Sequence, residues 1–221
     1  IMRNNETIDF NNLKMTSIDY PNLRYSFVEN ENIGYIKINL FSNNINKQLE
    51  YALSQLSSYS GLIIDLRNNA GGYLEEAYQT AEMFLSKGSV VYSLLDKDNK
   101  KKEYKDKTND MQTVPIVVLV NGNTASAAEI LAGALKDSYG AILIGSQTYG
   151  KGKVQHTYSL SSGEMVKYTT SLWYRPNGTN IDGVGITPDY QIENYVETTE
   201  TGETNLIDNQ YNKAIEILKN N

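Results

Sequence analysis

The run Pro115-Ile-Val-Val-Leu-Val120 constrains this chain more than any other stretch, because it is continuously apolar, rich in β-branched residues and offers no polar face to solvent. Such a run reads as a strand buried on both sides, the state of a strand inside a parallel sheet. The pattern then changes at once. Asn121-Gly-Asn-Thr-Ala-Ser126 is small and polar, and from Ala127 the apolar positions 130, 131, 134 and 135 recur at helical spacing. Ser126 therefore falls at a strand-to-helix turn. A second apolar run, Ala141 to Ile144, leads into Gly145-Ser-Gln-Thr-Tyr-Gly-Lys-Gly152, where Lys151 stands between two glycines. Beyond it Val154, His156, Tyr158 and Leu160 alternate with polar residues, as along a strand.

The rest of the chain repeats this alternation of strand and helix signals. Residues 1–30 read as an irregular or helical lead-in, and Ile33 to Leu40 as a strand. Asn46 to Ser57 has helical spacing, Leu62 to Leu66 is another buried strand, and Glu75 to Phe84 is a helix after the Gly71-Gly72 turn. Ser89 to Leu95 reads as a strand, Asp96 to Asp110 as a solvated hairpin or loop, Met165 to Tyr174 as a long strand and Leu206 to Leu218 as a terminal helix. Strands alternating with helices imply an α/β fold, a mainly parallel sheet with flanking helices.

Three chemistries fit the stretch around Ser126. The plainest is structural: Ser126-Ala-Ala-Glu129 has the spacing of a helix capping box, which accounts for Ser126 and Glu129 but not for Lys151. The second is phosphate binding, since Gly145-x4-Gly150-Lys151 follows a strand and Leu62-Ile-Ile-Asp65 resembles a metal-binding strand end. Against it, Gly152 stands where a Ser or Thr would hold the metal, and the following segment reads as strand where a helix should start. The third is nucleophilic catalysis. A serine hydroxyl needs a neighbour to take its proton, and the sole histidine, His156, is poorly located for that task. Lysine can substitute when it is neutral, a form favoured by desolvation or by nearby positive charge. The glycines flanking Lys151 leave it without bulky neighbours to hold it in solvent, and Lys153 would share its face.

The residues at 121–130 (Asn-x-x-Thr-Ala-Ser-Ala-Ala-Glu-Ile) and 145–155 (Gly-x-x-Thr-Tyr-Gly-Lys-Gly-x-Val-Gln) resemble the C-terminal processing, or tail-specific, serine proteases. Gly61-Leu-Ile-Ile-Asp-Leu-Arg-Asn-Asn-Ala-Gly-Gly72, Lys167 to Gly178 and Gly185-Ile-Thr-Pro-Asp189 extend the resemblance over residues 33–192 in the family's order. It implies a spiral α/β core of ClpP/crotonase-like layout with additional β-strands, spanning residues 31–195, with 1–30 a lead-in and 196–221 a tail and helix. It further implies a serine endopeptidase acting on extended polypeptides with a Ser-Lys dyad; the alternative on the same fold is a catalytically inactive module that binds extended peptides by strand addition. Ser126 would be the nucleophile, Lys151 the base, and Gln155 the group that holds the lysine. The amide of Ala127, with that of Gly72 or Gly71, would form the oxyanion hole; no cofactor or metal is expected. Asn68 and Asn69 read as plain turn residues. An extracytoplasmic place of work follows from the resemblance alone. Members commonly carry a PDZ domain before the core, and no insert of that size precedes Ile33, so that domain is either absent from this member or cut away.

Composition narrows the remaining possibilities. With 26 acidic against 20 basic residues the net charge is −6 and no basic run occurs, which disfavours nucleic acid and anionic membranes as partners. Zero cysteines exclude a disulfide framework, a thiol nucleophile and a cysteine zinc site. No stretch reaches the roughly 18 apolar residues of a membrane span, and no signal-peptide pattern opens the chain. An opening Ile1 suggests a processed or excised chain, consistent with a removed leader or anchor.

Overall fold

The computed structural model describes residues 2–3, 6–7, 21–56, 58–109, 112–198 and 204–220. A short antiparallel pair, β1 (Met2–Arg3) and β2 (Glu6–Thr7), comes first. The chain then runs through β3 (Leu23–Phe27), β4 (Ile33–Ile38), α1 (Ile45–Gln55), β5 (Gly61–Asp65), α2 (Leu74–Glu82), β6 (Val90–Asp96) and β7 (Lys101–Lys105). Next come β8 (Ile116–Val120), α3 (Ala127–Ala134), β9 (Ile142–Gly145), β10 (Lys153–Ser159) and β11 (Met165–Tyr174). The two-residue β12 (Tyr190–Gln191), the hairpin β13 (Tyr195–Thr198) and β14 (Thr204–Ile207), and α4 (Asn209–Lys219) complete it.

The main sheet has the order β12-β9-β8-β5-β4-β3, parallel throughout except for the antiparallel edge strand β3. Its middle strands β5 and β8 are buried along their whole length, as their unbroken apolar runs demand. Successive residues of a strand face opposite ways, so Val118 and Val120 join the core under α1, α2 and α3 with Ile36, Leu49, Ala81 and Leu131. Val117 and Leu119 turn to the other face, where Ala214 and Leu218 of α4 cover them. Helix α3 is buried at every residue, which its small side chains Ala127, Ala128, Ala132, Gly133 and Ala134 allow, and it widens into a π turn over Leu135–Tyr139.

A second, antiparallel sheet has the order β10-β11-β6-β7. Strand β11 is long, and only its end, Ser171–Tyr174, lies beside β6; the remainder pairs with β10 as a two-stranded ribbon. The base of this ribbon faces the N-terminus of α3. That juxtaposition brings the two halves of the site together.

Two readings of the sequence are corrected, and a third, left open between hairpin and loop, is decided. Residues 23–27, inside the expected irregular or helical lead-in, form the edge strand β3, whose pattern of one buried residue and four exposed ones carries little periodic signal. Much of the remaining lead-in lies outside the described residues. The terminal helix starts at Asn209 and not at Leu206, because Asp208 accepts the Tyr211 amide at 3.0 Å as its N-cap, and residues 206–207 belong to β14. Within 96–110, residues 101–105 pair with β6, so this segment is a hairpin.

Candidate active site

The turn between β8 and α3 is braced from beneath. Thr124 is fully buried; its hydroxyl donates to the Leu66 carbonyl at 2.9 Å and accepts the Asn121 amide at 3.0 Å. The Ala125 amide donates to the Asn69 carbonyl at 2.9 Å. At the apex Ser126 has φ 57° and ψ −119°, a conformation that costs a non-glycine residue about 1–3 kcal/mol and occurs at strand-to-helix turns bearing a nucleophile. Glu129 offsets part of this by accepting the Ser126 amide at 2.8 Å through Oε2. The spacing of a capping box is thus present and its glutamate half is closed. The amides of Glu129 and Ile130 also bond the Ser126 carbonyl.

The turn after β5 lies against this one. Asn69 is not a plain turn residue: it is fully buried, its Nδ2 donates to the Ile38 carbonyl and its Oδ1 accepts the Gly71 amide, both at 2.9 Å. Gly71 (φ 105°) packs so closely that an added Cβ would stand 2.9 Å from the Ser126 Cβ and 3.0 Å from the Ala127 nitrogen. At Gly72 (φ 133°) a Cβ would run into the Phe41 carbonyl. While the Gly71 amide is committed to Asn69, those of Gly72 and Ala127 meet no acceptor among the described residues.

Lys151 arrives on the loop after β9, and Glu129 fixes that loop as well. This fully buried carboxylate accepts the Thr148 hydroxyl at 2.6 Å and the Gly150 amide at 2.7 Å on Oε1, and the Lys151 amide at 3.0 Å on Oε2 beside that of Ser126. Four donors replace the water that a buried charge has lost. On the other side of Lys151, its carbonyl accepts the indole N–H of Trp173 at 2.9 Å. The backbone carrying Lys151 is therefore gripped from both sides by side chains, and through Glu129 it is tied to the backbone of Ser126.

These elements enclose a cavity of about 300 Å³ lined by Gly72, Ser126, Ala127, Lys151 and Gln155. Leu74, Ile130, Val154 and Trp173 supply an apolar wall, and Tyr73, Lys153 and Lys167 complete the lining. Of the residues singled out from sequence, Gly71 stands behind this lining, and exposed His156 is not part of it. Strand β10 begins only at Lys153, and its register with β11 shifts between Val154 and Gln155, so no simple alternation relates Lys151 to Gln155, yet both residues line the same cavity. Lys151 is exposed, contrary to the expected burial, because the cleft is open along that side. Lys153 is paired with Asp182 at 3.2 Å, and Lys167 is a further cationic neighbour that the local pattern did not reveal. The phosphate-loop reading loses its structural context, since a strand and not a helix follows Lys151.

A buried ion network anchors the glycine turn from the other end. Asp65, 1% exposed, accepts the Arg67 guanidinium at 2.8 and 3.0 Å, the Arg67 amide, the Tyr35 hydroxyl and the Lys37 ammonium. Arg67 continues to Asp208 at 2.8 Å and Gln210 at 3.1 Å on α4. Burial pushes the Asp65 carboxyl up, but the hydrogen bonds and charge of Arg67 outweigh it and hold the group below the usual carboxylate range. Asp208 is lowered in the same way.

A serine on a strained turn above a mostly parallel sheet, sharing a cleft with a lysine, is the arrangement of a candidate serine hydrolase on a mixed α/β core, and the family comparisons agree with it. Residues 32–192 match the model of peptidase family S41, and the chain belongs to that family. It is 39% identical over 168 residues to a carboxy-terminal-processing protease of Bartonella bacilliformis, and 36% identical over 194 residues to a carboxyl-terminal-processing protease of Synechocystis. These alignments take in 73% and 85% of this chain but only 39% and 44% of the relatives. Among solved structures, a photosystem II D1 C-terminal processing protease superposes with a TM-score of 0.72 at 30% identity, covering 80% of this chain and 50% of that one. No helix among the described residues is long and apolar enough to cross a membrane.

Proposed function

We propose that this chain is the catalytic core of a serine endopeptidase that cleaves polypeptides through an acyl-enzyme on Ser126. The observation that carries the reading is the single cavity in which Ser126, Lys151 and Gln155 meet the unengaged amides of Gly72 and Ala127. In the proposed mechanism neutral Lys151 takes the proton of the Ser126 hydroxyl as Oγ attacks the scissile carbonyl, and then delivers it to the departing amine. The developing oxyanion is met by the Gly72 and Ala127 N–H groups, the latter at the positive end of α3. Gln155 orients the lysine by hydrogen bonding. The apolar wall of Leu74, Ile130, Val154 and Trp173 beside those amides suits an uncharged side chain on the acyl side of the bond.

We place its work outside the cytoplasm on the family resemblance alone. The decisive experiment is intact mass spectrometry after treatment with a fluorophosphonate probe. One adduct on the wild-type chain and none on Ser126→Ala is expected; an unlabelled wild type, or equal labelling of the variant, refutes the serine mechanism.

A further inference from the structure

Resting on the Ser126–Lys151 reading, the geometry points to a second subsite, built around Tyr149, that binds the leaving-group side of the polypeptide. A second cavity, of about 510 Å³, is lined by Asn68, Ala70, Asn123, Ala125, Tyr149 and Lys151. Lys151 is the one residue it shares with the cavity that holds Ser126 and the Gly72 and Ala127 amides. That division matches the chemistry. Attack by Ser126 splits the substrate into an acyl half, whose carbonyl must face the oxyanion donors, and an amine half. The group that takes the serine proton and returns it to the amine nitrogen has to reach both. The cavity on the far side of Lys151, which holds no oxyanion donor, then receives the amine half.

Its walls are made for a peptide. Tyr149 is 66% exposed although its backbone is immobilised. Its amide donates to the Thr124 carbonyl at 3.0 Å, and its neighbours Thr148 and Gly150 are both held by Glu129. An aromatic ring presented on a rigid backbone loses little conformational freedom on binding and offers a face for an uncharged side chain. Ala70 and Ala125 keep the floor low. At the rim, Asn68 Oδ1 accepts Nδ2 of both Asn121 and Asn123 at 3.0 Å. This network uses neither Asn68 Nδ2 nor Asn123 Oδ1, so two exposed residues of the cavity lining keep a donor and an acceptor available to a substrate peptide group. Apart from Lys151 no charged residue lines it, so the preferred occupant is an uncharged, apolar or aromatic residue next to the scissile bond.

The test compares two substrates with the same acyl peptide, one continuing for several residues past the scissile bond and one ending in an ethyl ester, whose alcohol is too small to reach Tyr149. Tyr149→Ala is expected to lower kcat/KM for the peptide about tenfold more than for the ester, while Tyr149→Phe keeps the wild-type ratio. The same subsite is read in reverse by adding a peptide amine to the acyl-enzyme. The amine nitrogen attacks the ester carbonyl, the bond to Ser126 Oγ breaks, the amine proton returns to Oγ through Lys151, and a new amide forms in competition with hydrolysis. Tyr149→Ala should reduce the fraction of amide product. Parallel losses on peptide and ester together with an unchanged amide fraction overturn the subsite while leaving the serine mechanism standing. Failure of the wild type to form an ester-derived acyl adduct on Ser126 rejects the mechanism, and the subsite with it.

Discussion

Glu129→Gln offers the most quantitative test of how the site is held together. The carboxylate accepts two donors on each oxygen: Ser126 and Lys151 amides on Oε2, the Thr148 hydroxyl and Gly150 amide on Oε1. Glutamine keeps one acceptor and turns an NH₂ toward the other pair. The less costly orientation faces the NH₂ to Thr148, whose hydroxyl can rotate to accept, but the Gly150 amide then confronts a donor. One buried N–H left unpaired costs about 1–3 kcal/mol, and the surviving bonds lose the roughly 1 kcal/mol by which a charged acceptor exceeds a neutral one. Relief from burying a charge offsets part of this. A net destabilisation of about 2–4 kcal/mol follows, or a Tm roughly 4–16 °C lower for a domain of this size, measured by circular dichroism. Because the same carboxylate ties Ser126 to Lys151, labelling of Ser126 by a fluorophosphonate should slow at least about tenfold at a temperature where the variant remains folded. A variant with unchanged Tm and unchanged labelling rate would show that Glu129 neither supports nor aligns the two turns.

Two further outcomes follow from the same turns. Gly72→Ala should destabilise the chain by more than about 2 kcal/mol and abolish labelling, since a methyl group there meets the Phe41 carbonyl at a φ that alanine resists; a well-folded, active Gly72→Ala refutes this. Asp65 and Asp208 both have lowered folded-state values, so the stability they contribute is complete above the ordinary carboxylate range of about 4 and is lost as pH falls through their folded values. Urea midpoints measured from about pH 6 to about pH 3 should fall less steeply for Asp208→Asn than for the wild type, and equal slopes refute the linkage.

How much of this could be read from the sequence depends on the range of the interaction that decides each feature. The strand at 116–120 was legible because burial on both faces needs an unbroken apolar run, and the turn at Ser126 because a small polar stretch separates that run from helical spacing. Strand β3 was not, because an edge strand with four of its five residues exposed imposes almost no pattern. The Ser-x-x-Glu spacing was visible and pointed to a local cap. What spacing cannot convey is that three of the four donors to Glu129 lie 19 to 22 residues further on, where only the return of the chain from β9 brings them. Asn69 and Trp173 share that difficulty: each is defined by backbone groups distant in sequence, Ile38 for one and Lys151 for the other.

Those long-range contacts also explain why a chain would keep a carboxylate in its core. An apolar residue at 129 would fill the same buried space in α3, but it would leave the amides of Ser126, Gly150 and Lys151 without their acceptor, and it would reduce the tie between the strained serine turn and the lysine loop to such contacts as the Tyr149 amide on the Thr124 carbonyl. The two turns come from different strands, β8 and β9, which their neighbours hold only as far as Val120 and Gly145. Beyond those points one side chain accepts backbone amides from both Ser126 and Lys151, with the Tyr149 amide on the Thr124 carbonyl as a second link between the turns. Because amide positions are fixed far more tightly than long side chains, a shared acceptor transmits the rigidity of the sheet to the serine turn, while the lysine side chain is left exposed in the cleft.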